Sequence, residues 1–110
     1  AFDLGFALAH LLSKAHHVRA MRAAFAAAAG DYWRAYRAAL GDVPWAADLE
    51  PRAVRHALGC LLARVAGRST LEYLDDAERT RQRAVVIALM EQQPASVAEL
   101  AERFVALLQA

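Results

Sequence analysis

Two pairs of basic side chains have types and spacing that suit the binding of a charged ligand. His10 and Lys14 lie four residues apart, and Arg64 and Arg68 have the same spacing. Residues four positions apart share one face of a helix, so each pair would point in one direction. A guanidinium group can donate two parallel hydrogen bonds to a carboxylate or a phosphate. We therefore take His10, Lys14, Arg64 and Arg68 as candidate substrate-binding residues.

Structural roles also fit these four residues. His10 is consistent with a histidine buried in a core, and Lys14 with a cation that complements the carboxyl end of a helix. The two arginines could instead form ion pairs with acidic residues that follow them in the chain, namely Glu72, Asp75 and Asp76. The sequence leaves both interpretations open.

Two further clusters resemble functional sites. Tyr32, Trp33 and Tyr36 could form an aromatic wall for a cationic acceptor, although Tyr32 and Tyr36 also fall on the apolar stripe of a predicted helix. Asp75 and Asp76 are adjacent at a predicted helix start, where acidic residues usually cap the helix and complement its dipole. We interpret this acidic pair as structural and assign it no catalytic role.

The chain lacks the residues that a complete catalytic or metal site needs. Phosphoryl transfer requires a phosphate-cradling loop, a cation, a metal-holding carboxylate and a residue that orients the attacking hydroxyl. The five glycines are scattered along the chain. His16 and His17 are adjacent and lack the four-residue spacing of helical zinc ligands, and Cys60 is the single cysteine. We predict no catalytic residue, no metal and no cofactor bound by this chain alone.

Composition indicates one domain over residues 1–110. The hydrophobic fraction is 58%, and much of it is alanine, which favours helix. Thirteen basic and twelve acidic residues give a net charge of +1, which is too small to attract nucleic acid or an anionic membrane. No apolar run approaches the roughly 20 residues of a membrane span, and a lone cysteine suits a reducing compartment. We expect a cytoplasmic protein that binds neither nucleic acid nor membranes.

Apolar residues recur every three or four positions along the whole chain, which predicts helices and no strand. Caps, glycines and prolines divide the pattern into five segments. They are approximately Asp3–Ala15, His17–Leu40, Asp48–Gly67, Asp75–Glu91 and Ser96–Leu108. The predicted fold is all-α, an irregular bundle of about five helices.

Some details of these helices can be predicted from single residues. Asp3, Asp48 and Ser96 are candidate N-caps, and Ser96 with Glu99 has the spacing of a capping box. Gly30 interrupts the second helix and predicts a bend or a close crossing partner. The core stripe of that helix is predicted at Val18, Met21, Phe25, Ala28, Tyr32, Tyr36 and Leu40.

The first helix is apolar on nearly all sides. A helix of this kind is normally surrounded by protein, and 110 residues would barely surround it. We therefore expect part of it to be covered by another stretch of polypeptide, or to form a dimer interface if it is left exposed. The residues concerned are Phe2, Leu4, Phe6, Leu8, Leu11 and Leu12.

Two segments resemble parts of a known enzyme family. Residues 1–15, AFDLGFALAHLLSKA, are similar to the Pro-Ala-Phe-Asp-Leu-Ala-Phe type of stretch that follows the metal-binding loop of aminoglycoside phosphotransferase and choline kinase-like enzymes. Residues 62–74, LARVAGRSTLEYL, are similar to the Ala-Arg-Ile-Asp-Gly-Lys-Ser-Pro-Val-Glu-Tyr-Leu kind of segment in bacterial phosphotransferases of this group. The segments occur in the expected order, so the chain resembles the carboxyl-terminal helical lobe of such an enzyme.

The resemblance implies a role within a larger enzyme. The intact enzyme would use ATP and magnesium to phosphorylate a hydroxyl of an aminoglycoside, choline-like, sugar or amino-alcohol acceptor. Asp3 would support the catalytic loop by accepting hydrogen bonds from its backbone, and the first two helices would wall the acceptor pocket. The nucleotide-binding lobe, the catalytic loop and the metal ligands would precede Ala1, so the lobe's partner would be that missing N-terminal region. The lobe would be inactive alone.

Two other classes of function compete with this interpretation. The chain could be a non-catalytic helical module in which the apolar first helix is a dimerisation or partner surface. A ligand-sensing domain of a transcription regulator is less favoured, because no helix has the basic character of a recognition helix.

Overall fold

A computed structural model describes residues 1–67 and 70–110 of the chain. These residues contain no strand, and the predicted all-α fold of about five helices is confirmed. None of the described helices combines the length and the apolar character needed to cross a membrane. The elements are α1 (Phe2–His17), a 3₁₀ turn (Arg19–Met21), α2 (Arg22–Leu40), a second 3₁₀ turn (Pro44–Asp48), α3 (Leu49–Ala66), α4 (Asp76–Glu91) and α5 (Val97–Gln109).

Helix α1 lies at the centre of the bundle and contacts each of the other four helices. Leu4, Leu8 and Leu12 are fully buried and belong to the main core, which draws apolar side chains from all five helices. Because burial of a leucine contributes about 2 kcal/mol, this row stabilises the whole bundle. The chain itself thus covers most of α1. The large apolar side chains of α1 that stay exposed are Phe2 at 62% and Phe6 at 38%.

The crossing of α1 over α3 depends on Gly5. This residue is buried, and a Cβ atom here would lie 2.5 Å from the Cβ atom of His56 and 2.9 Å from the backbone nitrogen of Ala57. Real Cβ atoms essentially never approach other atoms so closely. Only glycine therefore allows the two helices to pack at this distance.

The junction between the first two helices differs from the prediction. α1 continues to His17, and α2 begins at Arg22 after the turn at Arg19–Met21. The Arg22 side chain stabilises this arrangement, because its Nε donates to the carbonyl oxygen of Ala15 at 2.9 Å and its Nη2 to that of His16 at 2.8 Å. Carbonyl groups at a helix end need such donors, so the arginine caps α1.

The predicted core stripe of α2 is confirmed only in part. Met21 and Tyr32 are 52% and 41% exposed, although Tyr36 and Leu40 do pack against the core. The start of α2 is rich in alanine, which occurs on every face of the helix. The apolar pattern therefore does not identify the buried face there. The helix also runs through Gly30 without a break. Its inward face carries Arg22, Ala26, Ala29, Gly30, Trp33, Tyr36 and Leu40.

Several helix ends were predicted correctly, and two caps were not. Gly41, with φ 65°, follows α2, and Gly67 follows α3. The N-cap position of α1 is Ala1 rather than Asp3, because the helix already begins at Phe2. Asp48 does occupy the N-cap position of α3. Its carboxylate pairs with Arg52 at 3.3 Å instead of capping the helix.

Side-chain caps begin the last two helices. Asp75 and Glu78 form a reciprocal capping box at α4. At α5 the Ser96 hydroxyl accepts the predicted hydrogen bond from the Glu99 N–H at 3.0 Å, while the Glu99 carboxylate accepts from the Ala95 N–H at 2.6 Å rather than from Ser96. These caps direct the apolar face of α5 inward, where Phe104 is fully buried.

Candidate functional site

An open groove of about 640 Å³ runs between α1 and α3. Phe2 and Phe6 form the α1 wall, and residues of α3 from Arg55 onwards form the other wall and the floor. Both phenylalanines are exposed along this groove, whereas Leu4, Leu8 and Leu12 of the same helix are fully buried. Exposed aromatic side chains beside a concave surface are typical of a binding site.

The floor of the groove exists because small residues recur at steps of four along α3 and at the residue that follows it. Gly59, Ala63 and Gly67 all line it. A Cβ atom placed on Gly59 would meet no other atom within 4 Å, so the space above this residue is open. Gly59 thus differs from Gly5, whose missing side chain is needed for helix packing.

The groove has a positive rim. Arg55, His56 and Arg64 line it, and none of the described residues that line it is acidic. The guanidinium carbon of Arg64 lies 5.4 Å from the centre of the Phe6 ring, which is within the range of a cation–π contact. The ring of His56 meets Phe2 edge-on, with 5.9 Å between the ring centres. Each phenylalanine therefore contacts a side chain of α3.

His10 and Arg64 are brought together, as candidate binding residues should be. Both line a small cleft that adjoins the groove and shares Phe6 and Cys60 with it. The ring centres of His10 and Phe6 are 4.7 Å apart. Burial lowers the pKa of His10, and the positive charges of Arg64 and Lys14 lower it further. His10 is therefore a neutral hydrogen-bonding group at pH 7.

Lys14 lies one turn further along α1 and contacts an aromatic ring. Its Nζ atom is 4.2 Å from the centre of the Tyr73 ring. Burial raises the pKa of Tyr73, and the nearby Ser13 hydroxyl acts in the opposite direction. The Tyr73 hydroxyl is buried and forms no hydrogen bond of acceptable geometry with the described residues. His10 and Lys14 thus lie on one face of α1, and this face extends from the groove to Tyr73.

The remaining candidate residues stand as follows. The Asp3 side chain is exposed at the amino end of α1, one residue from Phe2 and the groove. Arg68 lies outside the described residues. Of the acids considered as partners for the two arginines, Asp75 caps α4 and Asp76 pairs with Arg79 at 2.9 Å. Cys60 has a pKa raised by burial, with Arg64 acting against it, so its thiol is protonated at neutral pH.

No protein family, curated protein or solved structure matches this chain.

Sequence reasoning missed a buried polar cluster on the other side of α1. Ser13, His16 and Gln82 are at most 1% exposed, and Arg22 is 9% exposed. His16 and Gln82 contact each other across the α1–α4 interface at 3.0 Å. His16 falls at a helix end, where cations are common, and no pattern in the sequence singles out Gln82. Nothing in the local sequence distinguishes these residues from surface ones.

A second contact joins the end of α1 to the start of α4. The Nδ1 atom of His17 lies 2.9 Å from a carboxylate oxygen of Glu78. Burial tends to raise the pKa of Glu78, but the backbone N–H of Asp75 and the neighbouring His17 outweigh it, so the pKa is lowered. Glu78 therefore serves both the capping box and this contact.

Proposed function

We propose that the chain is the carboxyl-terminal helical lobe of a small-molecule phosphotransferase similar to the aminoglycoside phosphotransferases. In this proposal α1 supports the catalytic loop through Asp3, and the α1–α3 groove forms one wall of the pocket for the hydroxyl-bearing acceptor. The observation that supports it is the contrast along α1. The helix is enclosed by the other four helices, yet its amino end presents a carboxylate beside exposed Phe2 and Phe6.

This contrast suits a scaffold that holds a catalytic loop. A mechanism that relies on electrostatic stabilisation needs its groups preorganised by rigid elements, and a helix fixed on four sides is rigid. A carboxylate at its first turn can accept hydrogen bonds from a neighbouring loop backbone. Because the groove begins at Phe2, an acceptor bound in it would have one end next to that loop.

The resemblance also implies that the intact enzyme uses ATP and magnesium. The described residues contain no group of three or more His, Cys, Asp or Glu side chains that could hold a metal ion. Nor do the glycines cluster into a phosphate-binding loop. The proposal therefore assigns the chain support and acceptor binding, and no step that involves the nucleotide or the metal.

The first test is the reading frame that encodes Ala1. If it continues upstream, the proposal expects a catalytic loop and a metal-binding Asp in the encoded segment. The encoded protein should then transfer phosphate from ATP to small hydroxyl compounds. An unrelated upstream segment, or an encoded protein with no such activity, would contradict the proposal.

The second test is the substitution Asp3→Asn in that encoded protein. A misplaced catalytic group costs on the order of a hundredfold in rate, so kcat should fall by roughly that factor while the KM of the acceptor changes little. Asp31→Asn, at an exposed position on α2, is the matched control and should leave kcat unchanged. A fall in KM and kcat together, or equal rates for both variants, would exclude a positioning role for Asp3.

A helical interaction module is the second candidate, because exposed Phe2 and Phe6 would also suit a protein partner or a second copy. Size-exclusion chromatography with light scattering tests the dimer form of this candidate. A dimer that dissociates on substitution Phe2→Ser would favour the module, and a monomer over a wide concentration range would count against it.

A further inference from the structure

The groove between α1 and α3 carries a charge that selects among acceptors. We propose that it binds an amphiphilic small molecule with an apolar body and one anionic group, and that it disfavours cationic compounds. This inference rests on the proposed function for its assignment of the ligand as a phosphate acceptor. The preference for an anion follows from the groove itself.

The shape of the groove suits an elongated apolar body. Its α3 wall extends from Arg55 to Gly67, and at 1.5 Å per residue this corresponds to a length of about 18 Å. Its volume of about 640 Å³ lies within the usual range of roughly 300 to 1,000 Å³ for small-molecule sites. A helix of that length and about 10 Å in diameter would remain mostly outside it. A small molecule therefore fits this space better than a partner helix does.

The apolar surfaces face each other across this length. Phe2 and Phe6 lie on one side, and the Gly59–Ala63 surface lies on the other. The open space above Gly59 leaves room for a ligand between the walls. An alkyl chain or flat ring placed there would remove both phenylalanines from water, which is favourable by about 25 cal/mol per Å² of buried apolar area.

The charged side chains among the described residues that line the groove have one sign, and the exposed Asp3 carboxylate lies at its end, one residue from Phe2. Arg55 and Arg64 lie near its α3 wall together with His56, and no described lining residue supplies a carboxylate. On α1, His10 lines the small cleft beside Arg64, and Lys14 lies one turn further along that helix. A carboxylate or phosphate can form charge-assisted hydrogen bonds with guanidinium groups. A polycation such as an aminoglycoside, or a choline-like cation, would meet like charges, which is a common basis of discrimination.

Binding of three matched probes to the 110-residue chain tests the proposal. The probes are ω-hydroxydodecanoate, dodecane-α,ω-diol and ω-aminododecanol, which share a chain and a hydroxyl and differ in the charge at the other end. Isothermal titration calorimetry below the critical micelle concentration of each probe gives their Kd values. Since a hydrogen bond to a charged group contributes enough for about a tenfold change in Kd, the anionic probe should bind at least that much more tightly than the diol. The cationic probe should bind most weakly.

Two variants with matched controls locate the binding site. Gly59→Leu places a side chain in the groove at a position where the added Cβ atom meets no other atom within 4 Å, so the Kd of the anionic probe should rise about tenfold or more. Ala84→Leu, at an exposed position of α4, should leave it unchanged. Arg55→Gln should raise the Kd of the anionic probe to nearly that of the diol. Arg83→Gln, also at an exposed position of α4, should leave this Kd unchanged. Circular dichroism of each variant verifies that the fold is retained.

The outcomes separate this inference from the proposed function. Equal Kd values for the three probes, together with weaker binding of all three by Gly59→Leu, would overturn the anion preference and leave the groove as an acceptor site. No measurable binding, or binding that Gly59→Leu does not weaken, would overturn the groove as a ligand site. Light scattering that shows a dimer lost in Gly59→Leu would identify a second copy as the occupant and overturn the inference. Failure of the phosphotransferase role itself is shown separately, by the activity of the encoded protein.

Discussion

The Nδ1 atom of His16 lies 3.0 Å from the amide oxygen of Gln82, and this contact joins α1 to α4 inside the bundle. The Gln82 Nε2 donates to the carbonyl oxygen of Leu61 at 3.1 Å and to the Ser13 hydroxyl at 3.4 Å. Its amide oxygen must therefore face His16 and accept a proton from Nδ1. The Nε2 atom of His16 then accepts a hydrogen bond from Arg81 at 3.2 Å, so the imidazole is neutral.

Substitution Gln82→Met should destabilise the protein markedly. It keeps the volume of the side chain but leaves the His16 N–H, the Leu61 carbonyl and the Ser13 hydroxyl without their partner. An unsatisfied buried polar group costs about 1 to 3 kcal/mol, so we expect the free energy of unfolding to fall by about 3 kcal/mol. Urea denaturation followed by circular dichroism measures it. Gln93→Met, at an exposed position, should change stability by less than about 0.5 kcal/mol. Similar losses in the two variants would show that the buried network contributes little.

Stability should also fall as the pH is lowered through 6.5. Burial lowers the pKa of His16, and the charges of Arg81 and Arg22 act in the same direction, against the hydrogen bond with Gln82 and the charge of Glu78. The pKa of His16 in the folded protein thus lies below the ordinary histidine value of 6.5, and between these two values the unfolded chain binds more protons than the folded one. The free energy of unfolding therefore decreases with falling pH in that window and is fully restored above 6.5.

Urea denaturation at several pH values above 5 measures this dependence while the carboxylates remain largely ionised. Substitution His16→Gln should flatten the curve. His10→Gln provides the comparison, because burial also lowers the pKa of His10 and this histidine contributes with the same sign. A curve that is flat in the unsubstituted protein would mean that neither histidine is held neutral by the fold.

The helices themselves could be predicted from the sequence because their signals are local. Gly41 and Gly67 follow helix ends, and Ser96 caps α5, each through contacts within a few residues. Leucine, valine and phenylalanine also recur at helical spacing in α3 and α5, where Val54, Leu58, Leu100 and Phe104 are buried. The alanine-rich start of α2 carries no such contrast, and the buried face of that helix was therefore misassigned.

The site was only partly predictable because its parts meet through tertiary packing. His10 and Arg64 could each be named as candidates, but their shared cleft depends on the crossing of α1 and α3. The contact between His16 and Gln82 joins residues 66 positions apart and has no local signal. The groove itself was not foreseen, since Gly59 looks like any other scattered glycine in the sequence.

The corrected orientation of α2 can be tested with two adjacent aromatic residues. Trp33 is half-buried and packs against the core, whereas Tyr32 is 41% exposed. Trp33→Ala should lower the free energy of unfolding by about 3 kcal/mol, and Tyr32→Ala by less than about 1 kcal/mol. Urea denaturation measures the free energy of unfolding of both variants. A larger loss of stability in Tyr32→Ala than in Trp33→Ala would support the orientation of α2 that was predicted from periodicity.

Two glycines with opposite structural roles provide a further comparison. Gly5→Ala should destabilise the protein, because its Cβ atom would lie 2.5 Å from the Cβ atom of His56 and force α1 away from α3. Overpacking of this kind typically costs about 1 to 3 kcal/mol. Gly59→Ala meets no atom within 4 Å and should stabilise α3 by up to about 1 kcal/mol, because alanine is the better helix former.

Thermal and urea unfolding of these two variants measure both effects, and each variant serves as the control for the other. Opposite signs would confirm that the α1–α3 distance is set at Gly5 while the space at Gly59 is open. If both substitutions stabilised the protein equally, helix propensity alone would account for them, and α1 and α3 would not be in close contact. Loss of stability in Gly59→Ala would instead mean that the groove is filled in solution, which would remove the basis for ligand binding there.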